Sequence, residues 1–215
     1  MGKFISNFDT TAELGSFSAT TDFGRPHVSL TKDDSKIHYF DDPYKGHAYV
    51  DLGLPSGTKW ATMNVGASSE TDYGNYYQYG KGAAQYAATS GDSNYGGTED
   101  PLDSSVDTAS QVWGGSWHMP TRAQMQELID KCTWSWGTSG GTNGYTVSKN
   151  GKSIFLPAAG NWNNGSQGSV GTSGLYWGSS PGGSDYAYLL NFDSGSKGMG
   201  GSSRLRGCSV RPVVG

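Results

Sequence analysis

Apolar and polar residues alternate over short runs in the second half of the chain. The pattern is clear in Trp134-Ser135-Trp136, and residues 186–192 (Tyr-Ala-Tyr-Leu-Leu-Asn-Phe) form a further short run with strand-forming residues. A period of two is typical of strands with one buried face. The dipeptides Asn143-Gly144 and Asn150-Gly151 favour tight turns between such strands. The pattern therefore predicts many short antiparallel strands, including a central strand at residues 153–160.

Helical periodicity is clearest after Pro120. Thr121 and Gln124 have the spacing of a capping box, and Met125 and Leu128 then share one helical face. A second, short helix is predicted at residues 68–73, where serines precede acidic residues. Residues 84–112 are polar and predict a long loop. The fold class that follows is α+β, with few helices, short antiparallel strands and long ordered loops.

Two parts of the chain differ in pattern. Residues 1–45 contain one small predicted hairpin and are too small a piece for a strong core of their own, so they are predicted to form a small N-terminal attachment module. Residues 48–215 are predicted to form the main domain, because a chain of 215 residues holds one full core.

Composition changes the interpretation of residues 160–208. The chain has 34 glycines, and this segment is rich in glycine and serine as a flexible linker would be. It also carries large aromatic residues at high density, which disordered segments lack. The segment is therefore predicted to be folded structure in which many side chains are small.

Charge and cysteine content exclude several classes of function. The net charge is −4 and no basic stripe is present, which argues against nucleic-acid binding. No apolar run is long enough to cross a bilayer, and no signal peptide is recognisable. Cys132 and Cys208 lie outside any zinc-binding spacing, and we expect two free thiols.

The ordered motifs of residues 48–215 resemble a known family. They are residues 50–61 (Val-Asp-Leu-Gly-Leu-Pro-Ser-Gly-Thr-Lys-Trp-Ala), 117–121 (Trp-His-Met-Pro-Thr), 154–160 (Ile-Phe-Leu-Pro-Ala-Ala-Gly), 176–180 (Tyr-Trp-Gly-Ser-Ser) and 209–213 (Ser-Val-Arg-Pro-Val). They are similar to the C-type lectin fold domains of Bacteroides-type gut bacteria and their phages, which are related to the formylglycine-generating-enzyme fold. Within that group the chain most resembles the variable proteins of diversity-generating retroelements.

The resemblance implies a variable region at about 176–208. In that family, adenines of a template repeat are randomised, typically in Asn codons, and changes at the first two bases of such a codon cannot produce Lys or Met. Lys197 and Met199 would then be fixed residues, alternating with variable ones on the opposite strand face. The ligand-binding residues implied are Tyr186, Leu189, Asn191, Asp193, Ser196, Gly198, Gly200, Gly201, Ser202, Ser203, Leu205, Arg206 and Cys208.

On this interpretation the chain is a binding protein and not an enzyme, with no cofactor and no metal. Its partner would be a protein or glycan receptor on a target cell, and its location a phage tail or an extracellular surface. Residues 1–45 would provide virion attachment, and a homo-oligomer stays open. Tyr188, Leu190 and Phe192 are expected to pack inward.

Alternatives remain at this stage. An ordinary Gly/Ser-rich loop would give a lectin of fixed specificity. Trp162-Asn163-Asn164 resembles a calcium motif of sugar-binding C-type lectins, but its aspartate is missing. A formylglycine-generating-type oxidase would need a copper-binding cysteine pair, and Cys132 and Cys208 do not match that pattern. His118 is expected to be a hydrogen-bonded core residue.

Overall fold

The computed structural model describes residues 42–83 and 97–215, so most of the predicted N-terminal module lies outside the described residues. The helices are α1 (Thr108–Val112) and α2 (Arg122–Lys131). The strands are β1 (Tyr49–Val50), β2 (Lys59–Ala61), β3 (Thr133–Ser139), β4 (Thr142–Lys149), β5 (Lys152–Pro157), β6 (Asn161–Asn163), β7 (Ser166–Gly168), β8 (Ser173–Pro181), β9 (Tyr186–Asp193), β10 (Lys197–Ser203) and β11 (Val213–Val214).

The strands of the described residues form small antiparallel sheets. Their orders are β1-β2-β11, β3-β4-β5 and β10-β9-β8, and β6 pairs with β7 alone. The β9–β10 pair runs without a register shift from Lys197 opposite Phe192 to Ser203 opposite Tyr186. The predicted class of short antiparallel strands with few helices is confirmed. The two helices are too short and too polar to span a membrane.

The β8-β9-β10 sheet lies between two hydrophobic clusters. Trp177 and Leu189 belong to the first core, and Tyr176, Leu190 and Phe192 belong to the second core. Neighbouring residues of a strand point to opposite faces, so β8 and β9 are buried on both sides. This double burial explains why a segment rich in glycine and serine is folded.

Arg211 joins distant parts of the chain. Its buried guanidinium donates to Asn64 Oδ1 (2.8 Å) and to the main-chain carbonyls of Ala61 (3.0 Å), Thr62 (2.8 Å) and Phe155 (2.9 Å). Burial lowers the pKa of Arg211 to about 10. Its role is to satisfy carbonyls that would otherwise be buried without a donor.

Local signals had different outcomes. The capping box of Thr121 and Gln124 is present at the start of α2. The helix predicted at 68–73 is wrong, because the Asp72 carboxylate accepts from Ser68 N–H (2.9 Å) and closes a loop instead. Residues 84–96 of the loop predicted over 84–112 lie outside the described residues, and the prediction is wrong at its end, where residues 108–112 form α1. The turn predicted at Asn143-Gly144 is also wrong, since those residues lie in β4, after a turn at residues 140–141.

The described start of the chain is fixed to the domain. Pro43 O accepts from Ser116 N–H (2.8 Å), and Tyr44 O accepts from Trp117 Nε1 (2.8 Å). The His47 ring stacks on Trp113 with centroids 3.7 Å apart. Residues 42–47 therefore form an ordered joint at the boundary that the sequence indicates.

Candidate ligand-binding surface

The hairpin of β9 and β10 contains most of the predicted ligand-binding residues, and its register sorts them onto two faces. Asn191 and Leu189 share one face with their partners Gly198 and Gly200. The other face carries Tyr186 and Tyr188 with their partners Ser203 and Gly201. The face with Leu189 packs on the first core, and the face with Tyr188 packs on the second core through Leu190 and Phe192. The predicted residues are therefore not all on one face.

Solvent reaches each face at a different end of the hairpin. Near the turn, Asn191 is exposed and Gly198 and Gly200 are half-buried; we call these three residues the tip patch. At the other end Tyr186 is 57% exposed, and with Gly201 and Ser203 it forms the base patch. The structure thus offers two exposed areas, on opposite faces of one hairpin.

Three of the predicted ligand-binding residues are buried, and this corrects the sequence prediction. Leu189 is 2% exposed, Ser202 6% and Cys208 0%. Leu189 packs in the first core, and the main chain of Cys208 pairs with Tyr77 through two hydrogen bonds of 2.9 Å. Burial raises the pKa of the Cys208 thiol well above its usual range. These side chains cannot contact a ligand on the folded domain.

The turn between β9 and β10 is held by Asp193. Its Oδ1 accepts from Gly195 N–H (2.8 Å), Ser196 N–H (2.8 Å) and Ser196 Oγ (3.1 Å). Hydrogen bonds from the main chain of Gly195 and Ser196 lower the pKa of Asp193. Both Asp193 and Ser196 are exposed, but Asp193 also fixes the turn, as a short acidic side chain commonly does.

Leu205 and Arg206 follow β10 in a turn, and both are half-buried. Leu205 O accepts from Gln78 Nε2 (3.2 Å), and Arg206 N–H donates to Ser203 O (3.0 Å). Within the described residues, Arg206 Nε is buried without a hydrogen-bond partner. Both residues therefore lie beside the base patch, because their main-chain N–H groups donate to Ser203 of that patch.

The glycines in β10 have room for a side chain, as Gly137 in β3 also has. A Cβ added at Gly198 would have no neighbour within 4 Å, and one at Gly201 would meet only Ala187 O at 3.9 Å. A Cβ at Gly200 would lie 3.1 Å from Asn191 Nδ2, the end of an exposed side chain. None of the three has a positive φ. Neither the backbone nor the space around it requires glycine at these positions.

Two glycines of other strands, Gly174 and Gly144, have no such room. A Cβ at Gly174 in β8 would overlap three carbons of the buried Phe192 ring. A Cβ at Gly144 in β4 would overlap the Leu156 carbonyl. At these two positions the packing requires a residue without a side chain.

Arg204 is a buried residue beside the candidate surface that sequence reasoning missed. It is 2% exposed, and its guanidinium donates to Tyr186 O (3.1 Å), Gly97 O (3.1 Å) and Gly183 O (2.7 Å). It also lies over the Tyr79 ring, 4.8 Å from the centroid. Arg204 therefore positions the loop at 181–185 and the start of β9. An arginine among serines and glycines gives no sequence signal for such burial.

Tyr188, which the sequence predicts to pack inward, is half-buried. It lies at the end of the hairpin that carries the base patch. The guanidinium of Arg122, at the start of α2, lies 4.2 Å from its ring centroid. Beside this pair is an open cavity of about 620 Å³, lined by Asp100, Thr121, Arg122, Ala123, Gln126 and Ser180.

The remaining candidate chemistry is sparse. In residues 42–83 and 97–215, no group of three His, Cys, Asp or Glu side chains is placed to hold a metal ion. Asn163 and Asn164 are exposed at the β6–β7 hairpin. His118 is half-buried, with Nδ1 3.0 Å from Met119 O. Both cysteines are free thiols, as the sequence predicts.

Comparison of the chain with protein-family models, curated proteins and solved structures found no match.

Proposed function

We propose that this protein is a binding protein of the C-type lectin fold whose C-terminal surface is diversified by a retroelement. The surface would attach a phage or a cell to a protein or glycan receptor on a target cell. The observation that carries the proposal is the set of glycines in β10, which neither φ nor packing requires.

Glycine is costly in a strand that does not need it. It weakens a strand interior by roughly 0.5–1 kcal/mol relative to alanine. Gly198, Gly200 and Gly201 stand in one strand of seven residues, so their presence works against stability. Randomised codons produce such residues without regard to the strand, and the open space around them accepts other side chains equally well.

The rest of the domain has the properties of a fixed platform. β9 is buried on both faces, Arg204 fastens the start of this strand, and Arg211 joins remote segments through four hydrogen bonds. A rigid scaffold lowers the entropy cost of presenting a binding surface.

Tyr186, Leu205 and Arg206 are the residues we expect to contribute most to binding. Aromatic and arginine side chains dominate most interfaces, whereas glycine and serine mainly supply fit. The many small residues of the tip patch imply weak binding by a single copy. Multivalent display would then supply the avidity.

The coding DNA tests the proposal directly. We expect a reverse transcriptase gene and a near-identical, adenine-rich template repeat beside the gene, with adenines at the first two codon bases of the exposed positions. The template codons at Lys197 and Met199 should not be the Asn codons AAC or AAT. Absence of a template repeat, or codons at the tip and base patches that do not end in C or T, would refute the proposal.

A display experiment tests binding independently of gene context. A library varied at Asn191, Gly198, Gly200, Gly201 and Ser203 should yield folded binders against gut bacterial cells. A matched library varied at Gly144 and Gly174 should yield few folded proteins. A glycan array probed in calcium and in EDTA distinguishes a lectin of fixed specificity from a diversified binding protein. Calcium-dependent binding that survives changes in both patches would favour the lectin.

A further inference from the structure

β10 is an outer strand of the β8-β9-β10 sheet. The direction in which its main-chain N–H and C=O groups point can be deduced from the hydrogen bonds that β8, at the opposite edge, makes to Ser209. Ser209 N–H donates to Leu175 O (3.0 Å), and Trp177 N–H donates to Ser209 O (2.9 Å). Leu175 and Trp177 therefore point their main-chain groups away from β9. Tyr176, between them, points toward β9 and its register partner Leu190.

The same alternation continues across the sheet. Since Leu190 bonds toward β8, the next residue, Leu189, bonds toward Gly200 of β10. The residues on either side of Gly200 then point their N–H and C=O groups out of the sheet. Met199, Gly201 and Lys197 are therefore the residues whose main-chain groups line the outer edge.

Those outer groups have no partner among the described residues. No hydrogen bond joins the main chain of Lys197, Met199 or Gly201 to a residue outside the β9–β10 pair. Within the strand itself, several of the usual protections of an edge are missing. It contains no proline and no bulge, and its only charged residue, Lys197, stands at one end.

We propose that β10 pairs antiparallel with β10 of a second copy of this chain. With Gly200 on the two-fold axis, Met199 of one copy lies opposite Gly201 of the other, and each pair exchanges two main-chain hydrogen bonds. Lys197 then lies opposite Ser203, so the two lysines do not meet. The edge is complementary to itself, and this favours a second copy over an unrelated strand.

This pairing joins two three-stranded sheets into one of six strands. The interface is small, so the dimer is weak and depends on concentration. Its bonds come from the main chain, which makes it insensitive to the side chains of the tip and base patches. The inference does not depend on the proposed function, because it uses only strand geometry.

Sedimentation velocity of the full chain tests the inference without any ligand. The mass should rise from 22.7 kDa toward twice that value between micromolar and submillimolar concentration. Gly201→Pro removes an outward N–H that no described residue uses, and should weaken dimerisation at least tenfold. Gly201→Ala keeps this N–H and is the matched control, which should dimerise like the parent chain.

Amide hydrogen exchange provides a second measurement that does not depend on the proline variant folding. The amides of Met199 and Gly201 should exchange quickly at micromolar concentration and more slowly at submillimolar concentration. A chain that stays monomeric throughout, or equal dimerisation of the two Gly201 variants, overturns the proposal. Protection of both amides in the monomer also overturns it, because another segment of the chain would then cover the edge.

Discussion

The sharpest prediction compares alanine at two strand glycines, Gly198 and Gly174. At Gly198 the new methyl group meets no atom within 4 Å and the backbone is extended. The substitution should therefore stabilise the domain by about 0.4–1 kcal/mol, because alanine restricts the unfolded chain. At Gly174 the methyl group overlaps the Phe192 ring, which is 3% exposed.

The magnitude at Gly174 follows from two opposing effects. Overpacking a buried site costs about 1–3 kcal/mol. The restriction of the unfolded chain offsets about 0.4–1 kcal/mol of that cost. The net effect at the middle of these ranges is a loss of about 1.3 kcal/mol. For a domain of this size each kcal/mol shifts Tm by about 2–4 °C. The two variants should thus differ in Tm by several degrees, with opposite signs relative to the parent.

Thermal unfolding followed by circular dichroism measures both changes in Tm. Urea unfolding measures the corresponding changes in the free energy of unfolding, provided that its dependence on urea concentration (m) is the same in each variant. Gly144→Ala is a second control, since its methyl group would overlap the Leu156 carbonyl. A fall in Tm for Gly198→Ala, or an unchanged Tm for Gly174→Ala, would show that the space around these glycines differs from that in the structure.

The remaining predictions concern buried polar groups and ionisable side chains. Arg211→Met should lower the free energy of unfolding by at least about 3 kcal/mol, because it leaves main-chain carbonyls without a donor; an unchanged urea midpoint would contradict this role. Burial lowers the pKa of His47, with Asp42 opposing the shift. Its neutral form is therefore favoured in the folded state, and its contribution to stability is complete above about pH 6.5 and is lost as pH falls through the lowered pKa. Urea unfolding over that range should show this loss, and His47→Phe, which keeps a ring on Trp113, should reduce it. In a Cys132→Ser variant, Cys208 should react with a thiol reagent only on unfolding; rapid labelling of the native protein would contradict its burial.

Local sequence signals predicted local structure well. The capping box at Thr121 needs only residues within one turn, and α2 begins there. The turn at Asn143-Gly144 failed because a nearby glycine pair, Gly140-Gly141, takes the left-handed conformations of the β3–β4 turn. The choice between two adjacent turn signals depends on strand register, which is a long-range property.

Burial of the hairpin was predictable in part. Alternation correctly placed Leu190 and Phe192 inward, but it assumed that the opposite face of β9 meets solvent. Leu189 contradicts this assumption, because the first core covers that face too. Arg204 and Arg211 were outside the reach of sequence reasoning, since the carbonyls that accept from them come from segments distant in the chain.

Double-sided burial of β9 has a consequence for the repertoire that the proposed function implies. A polar or bulky residue in place of Leu189 would prevent the domain from folding, so such a variant would never bind a receptor. The same holds for Cys208, which is fully buried in the first core. Folding of the domain therefore excludes variants with unsuitable residues at the buried positions. The number of different binding surfaces is set by the exposed positions of the tip and base patches, not by the number of codons open to change.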